Sequence, residues 1–129
     1  MAFTTTEEHV RRAEQELGLT LPPAYRARLL RDNGGDVEAA DDTWQLFPVQ
    51  DTTDRKRVSR TANHLLREMT EARTWPQFPK SAVAIAANGN GDYLIVRPAE
   101  SQPDRLADTV LHWDHETGAL TSVDVTWDL

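Results

Sequence analysis

The chain has 129 residues, 39% hydrophobic and 27% charged, which is the balance of one ordinary folded domain, read here as 1–129. It has no cysteine, which excludes a disulfide framework, thiolate metal sites and a thiolate nucleophile. Its net charge of −7, from 14 Lys+Arg against 21 Asp+Glu, repels phosphate backbones and anionic membranes and suits a basic protein partner.

The amino-terminal stretch MAFTTTEEHVRRAEQ lacks the basic start and apolar run of a secretory signal. No segment approaches the ~20 apolar residues of a membrane span. A cytoplasmic location is the expectation. Thr5 and Glu8 have the spacing of a capping box. Val10, Ala13 and Leu17 then recur at helical spacing and Gly18 follows, so a first helix is predicted over about 6–17. Pro22-Pro23 suits the first turn of a second helix, carried on by Ala24, Tyr25, Leu29 and Leu30 and ended near Asn33-Gly34-Gly35.

Residues 36–43 (DVEAADDT) are acidic and aperiodic, and are read as a loop or ragged strand. Trp44 to Val49 (WQLFPV) reads as a short strand, with Pro48 pointing to a sheet edge that could pair two subunits. A monomer or weak dimer is expected. From Asp51 to Arg73 there is room for a third helix, with an apolar stripe of Val58, Ala62, Leu65, Leu66 and Met69. Trp75-Pro76 closes it. Ala82–Ala87 and Tyr93–Val96 are apolar on both faces and read as buried antiparallel strands. Two further strands are predicted, Val110–Asp114 and Leu120–Val125, joined by a turn at His115–Gly118. The order is that of an α+β domain with a central antiparallel sheet of about five strands flanked by helices.

The segment Asn88-Gly89-Asn90-Gly91-Asp92 poses a choice between a phosphate loop and a turn. A phosphate loop needs a lysine and a following helix; here an aspartate and a strand follow. A calcium loop would need glycine at its sixth position and a carboxylate at its twelfth, where Tyr93 and Ala99 stand. The composition favours a hairpin turn. His112, Asp114 and His115 are potential metal ligands, but their spacing matches no zinc motif. On a strand His112 and Asp114 share a face and His115 points away, unless it already lies in the turn. His9 and His64 read as isolated surface residues, and no serine has a nucleophile setting. No catalytic residues, metal or cofactor are expected. A metal-dependent activity on His112, Asp114 and His115 is the remaining enzymatic alternative.

Asp36, Glu38, Asp41 and Asp42 form an acidic stretch ending beside Trp44. A tryptophan next to a carboxylate rim has the composition of a protein-interface hot spot, and these five residues are the candidate partner-binding set. The competing reading turns Trp44 into the core.

Three stretches together resemble the SUKH superfamily, named partly for yeast cell-wall-synthesis regulators. AEQELGLTLPPAYRARLLRDNGG (13–35) is similar to its amino-terminal signature. FPKSAVAIAANGNGDYLIV (78–96) is similar to the strand–turn–strand at its sheet centre, and VLHWDHETGAL (110–120) to a third motif, a strand carrying Trp-Asp-His-Glu into a turn. Many members place an acidic residue just after the second of these, where this chain has Arg97-Pro98. The resemblance implies an α+β fold and no catalytic role. It implies an immunity protein that binds and neutralises a cognate polymorphic or contact-dependent toxin domain inside the cell. A nuclease is among the toxin types implied, and a basic one would complement the acidic charge. The alternative that the resemblance implies is a regulatory interaction domain with an endogenous partner.

Overall fold

A computed structural model of the chain describes residues 3–127. Helices α1 (Glu7–Leu17) and α2 (Pro23–Arg31) form the expected helical hairpin. Gly18 closes α1 in the left-handed conformation at φ 72°, its N–H bonded to Glu14 O and Gln15 O. The expected capping box does not form. The N-cap is Thr6, which makes no side-chain capping bond. The Thr5 hydroxyl instead donates to Asp51 Oδ2 at 2.9 Å, and Thr6 Oγ1 lies 2.7 Å from His9 Nδ1.

The expected third helix is two helices, α3 (Arg55–Arg60) and α4 (Leu65–Ala72). Each has its own cap. Asp54 accepts from Arg57 N at the start of α3, and His64 accepts from Arg67 N at the start of α4. The break has a tertiary cause. Leu65 N donates to Pro48 O at 2.8 Å, and the buried Thr61 hydroxyl accepts from Asp51 N at 3.0 Å. Both bonds tie the helix junction to the segment after the second strand. Val58, assigned to the apolar stripe by spacing, is 44% exposed in consequence.

Seven strands form one antiparallel sheet: β1 (Asp36–Ala39), β2 (Asp42–Leu46), β3 (Val83–Ala87), β4 (Tyr93–Val96), β5 (Val110–Trp113), β6 (Leu120–Val123) and β7 (Val125–Thr126). Residues 36–43, expected to be a loop or ragged strand, supply a strand and the start of another. Their burial alternates out-in-out-in along β1, which is the period of a half-buried strand. The spatial order is β6-β5-β4-β3-β2-β1-β7. The central strands are covered on both faces. Leu94 and Val96 of β4 join one apolar cluster, with Val10, Leu21, Tyr25, Leu29, Trp44 and Leu65. Ile95, between them, joins a second cluster with Phe47, Ala72, Phe78, Leu111 and Trp113. The near-continuous apolar reading of these strands follows from that double burial.

β6 and β7 lie at opposite edges of the sheet, yet only Asp124 separates them. Consecutive Cα atoms are about 3.8 Å apart, so Val123 and Val125 lie within about 7 Å of each other. The sheet therefore curls until its two edges nearly meet, and residues 120–126 run along the seam, pairing first with β5 and then with β1. The end of this segment is tied to α2. Trp127 packs against Tyr25 with ring centroids 6.0 Å apart. The buried Arg28 guanidinium donates to the carbonyls of Trp127, Gly34 (3.0 Å) and Asp36 (3.1 Å). It thereby holds α2, the start of β1 and the closing segment together.

Replacing Arg28 with leucine should lower unfolding stability by about 2–5 kcal/mol, because buried carbonyls lose a charged donor. Arg28→Lys should recover only part of the loss, since an ammonium cannot present the same fork of donors. Urea denaturation of the three proteins checks this; a lysine variant as stable as the parent would remove the geometric argument.

Candidate functional site

The turn that links β1 to β2 carries the acidic stretch. Ala40 and Asp41 both have positive φ, 53° and 57°, as a two-residue hairpin of the type I′ kind requires. Aspartate tolerates that region; alanine adopts it at a cost of about 1–2 kcal/mol. Asp36, Glu38, Asp41 and Asp42 are all exposed. Asp42 is steadied by Thr43 N at 2.9 Å and by the Asn88 amide at 3.2 Å.

These four do not make one surface. Glu38, Asp41 and Asp42 line a single concavity of about 480 Å³ with Ala39, Ala40, Thr43, Asp124 and Thr126. Asp36 lies outside it, opposite Gln45 at the far end of the β1–β2 pair. Asp124 is the member that sequence reasoning missed. It is remote from the hairpin in the chain and arrives there because β7 pairs with β1, Val125 opposite Ala39 and Thr126 opposite Glu38. The only sequence signal was the valine alternation at 123 and 125, which marked a strand but not its neighbour.

Trp44 corrects the reading of it as a surface anchor. Its side chain is fully buried, and the indole N–H donates to Ala39 O at 2.8 Å. A tryptophan on the inward face of a strand finds its apolar area and its hydrogen bond inside the protein. Its role is to brace the hairpin from beneath.

The β3–β4 connection is the hairpin turn expected. Asn88 Oδ1 accepts from Asn90 N at 2.9 Å, and Gly89 and Gly91 have φ of 84° and 102°. Asp92, at its end, is the centre of a clamp. Its Oδ2 is 2.8 Å from His112 Nε2, and its Oδ1 is 2.6 Å from His115 Nδ1 and 3.0 Å from His115 N. The ionised carboxylate only accepts, so both imidazoles donate to it. Of the two placements open for His115, on the strand facing away or in the turn, the structure shows the turn. β5 ends at Trp113, and the turn after it swings His115 back to the side that His112 faces. A Cβ on Gly91 would lie 3.0 Å from the His115 ring, so the glycine leaves the space that the imidazole occupies.

Asp92, Asp114 and His115 bring potential ligand atoms within 4.8 Å of one another. All three already have partners. Asp114 Oδ1 accepts from Glu116 N at 2.8 Å, and His115 Nδ1 is turned to Asp92. The arrangement is a hydrogen-bonded fastening between the β3–β4 turn and the β5–β6 turn.

The other isolated histidines are structural as well. His9 Nε2 lies 3.4 Å from the buried Asp51 carboxylate, which also holds Thr5 and Thr53. His64 caps α4, and burial lowers its pKa. A second concavity of about 200 Å³ is lined by Phe3, Arg57, Arg60 and Asp51 among others. Arg57 and Arg60 lie over the Phe3 ring, 4.4 and 5.1 Å from its centre, and Arg57 pairs with Asp54 at 2.7 Å.

Among the described residues no helix is long and apolar enough to cross a membrane. The fold, with its helical hairpin and its curled antiparallel sheet, defines an α+β domain whose motif-bearing turns are fastened to each other. The chain matches the SMI1 / KNR4 family (SUKH-1) over residues 4–128 and belongs to that family. No curated protein and no solved structure matches it.

The clamp makes a signed pH prediction. Burial pushes the Asp92 carboxyl up, but the His115 backbone N–H and the two imidazoles outweigh it and hold it down at about 2. The hydrogen bond to Asp92 raises His115 above 6.5, against some desolvation, with Glu116 and Asp114 adding to the rise. The Asp92 contribution is present above pH 3.8 and fades as pH falls toward 2. The His115 contribution is complete below pH 6.5 and fades as pH rises through its raised value. The thermal midpoint of the parent should therefore exceed that of Asp92→Asn most between pH 3.8 and 6.5, by less on the alkaline side where only the Asp92 part remains, and converge on it as pH falls toward 2. A constant difference across pH would sink the assignment. Gly91→Ala should separately cost about 1–3 kcal/mol, since it adds left-handed strain and crowds the His115 ring; an unchanged denaturation midpoint would contradict the close packing.

Proposed function

We propose that this protein is an immunity protein that binds and neutralises a cognate toxin domain in the cytoplasm, without catalysis. The observation that carries the reading is the acidic concavity. Glu38, Asp41, Asp42 and Asp124 reach it from two separate parts of the chain. It opens on a molecule of net charge −7. Membership of the SMI1 / KNR4 family is consistent with such a role. The nearest thing to a catalytic constellation, Asp92 with His112 and His115, is engaged in fastening two turns together.

In this reading the acidic concavity meets a basic face of the toxin, and Asp36, at the far end of the β1–β2 pair, adds to the field. Long-range attraction speeds encounter and orients the two surfaces. Trp44 contributes by holding the hairpin in place. A nuclease domain suits the charge, because a surface that grips nucleic acid is rich in lysine and arginine.

The test is calorimetric titration with the carboxy-terminal domain of the large secreted protein encoded nearest upstream, at low and at physiological salt. One-to-one binding that weakens with salt is expected. Asp41→Lys with Asp42→Lys should slow association about tenfold or more at low salt and flatten its salt dependence. Unchanged rates would remove the hairpin from the interface. Absence of binding at either salt would remove that toxin, and an endogenous partner recovered by affinity capture would favour the regulatory role.

A further inference from the structure

We infer that the outer edge of β6 is a docking strand, and that it takes an extended segment of a partner protein flanked by lysine or arginine. The inference rests on the protein-binding reading above but not on the partner being a toxin.

The edge is open for a topological reason. β7 is covered by β1, with Val125 opposite Ala39. One step back along the same register Asp124 would face Ala40, where the chain is already turning into β2. β6 thus runs past the end of β1, and among the described residues no strand pairs with its outer side. The ladder shows which groups point outward. Asp114 N donates to Ala119 O at 3.0 Å, and the register pairs His112 with Thr121 and Val110 with Val123. Hydrogen-bonded pairs alternate in an antiparallel ladder, so Thr121 and Val123 bond to β5. The N–H and C=O groups of Leu120 and Ser122 are then directed away from the sheet.

This edge lacks the usual protection. Ala119 to Val123 contains no lysine, no proline and no charge, and such an edge is a template for another strand. Beside it is an apolar step. Leu120 is 36% exposed and stands opposite Trp113, whose ring lies 6.4 Å from that of the 40% exposed Trp75.

Charge selects the occupant. The lane along β6 ends on one side at the concavity of Glu38, Asp41, Asp42 and Asp124. On the other side it ends at the turn bearing Asp114 and the well-exposed Glu116. A second copy pairing β6 with β6 about a twofold axis would set the first acidic end against the second, on two molecules each of charge −7. A strand with a neutral middle and cationic flanks matches both ends.

The probe is the acetylated, amidated peptide Lys-Lys-Val-Thr-Val-Thr-Val-Lys-Lys, added to the ¹⁵N-labelled protein. Saturating peptide should slow amide exchange at Leu120 and Ser122 by about tenfold or more and confine shift changes to the β5–β6 turn, β6 and the β1–β2 hairpin. Binding should weaken with salt, and a peptide with glutamate flanks should not bind. Ser122→Pro removes an outward N–H and no ladder bond, so it should weaken binding about fivefold or more with the fold retained. A peptide N-methylated at alternate residues makes the same test on the unaltered protein. The inference is overturned by no binding, by equal binding of the methylated peptide, or by protection elsewhere. Concentration-dependent dimerisation that protects the same amides without peptide also overturns it. Because the probe contains no toxin, failure of the toxin titration leaves this result standing, and the reverse holds too.

Discussion

A buried guanidinium holds this fold closed. Arg28 reaches from α2 to the start of the first strand and to the closing segment, and it donates to the carbonyls of Gly34, Asp36 and Trp127. A charge in that position is stable only if its hydrogen-bonding capacity is met inside the protein. The bonds from its two terminal nitrogens fix the closing segment against α2, and Tyr25 under Trp127 adds an apolar contact at the same point. With the segment anchored there, β7 must pair with β1, the sheet must curl, and Asp124 must arrive beside the hairpin.

The second constraint is the fastening of the two motif-bearing turns. Asp92 accepts from both imidazoles and from the His115 backbone, while Gly91 gives the ring room. Gly118 does a similar thing for Gln77: a Cβ there would lie 2.4 Å from its Oε1, and Gln77 O accepts the Trp113 indole N–H at 3.3 Å. One edge of the sheet is thus held by paired polar groups around a packed tryptophan. Among the described residues no strand pairs with the outer side of β6, which lies between two acidic ends.

Much of the secondary structure was legible because its causes are local. Gly18 stops α1 through its own left-handed backbone. Ala82–Ala87 and Tyr93–Val96 read as buried strands because both of their faces are apolar. The glycine-asparagine turn between them read correctly because its chemistry excluded a phosphate or calcium loop. The errors are equally physical. The third helix broke at Thr61 to His64 because Pro48 O took the Leu65 N–H that a continuous helix would have used, while the Thr61 hydroxyl is tied to Asp51 N. Of the two readings left open for residues 36–39, loop or ragged strand, the strand holds because β2 and β7 supply neighbours on both sides. The capping box failed because Asp51, far away in the chain, took the Thr5 hydroxyl.

The candidate site divides along the same line. By itself the sequence determined the acidic stretch, the absence of thiol chemistry, the hairpin between β3 and β4, and the three motifs of the family to which the chain belongs. All of these depend on residue type and short spacing. Tertiary structure alone decided that Trp44 faces the core, that His112 and His115 converge on Asp92, that Asp36 stands apart from the concavity, and that Asp124 joins it. Each of those depends on which strand lies beside which, and strand adjacency is set by packing and buried polar pairing across distant parts of the chain, which no local pattern encodes.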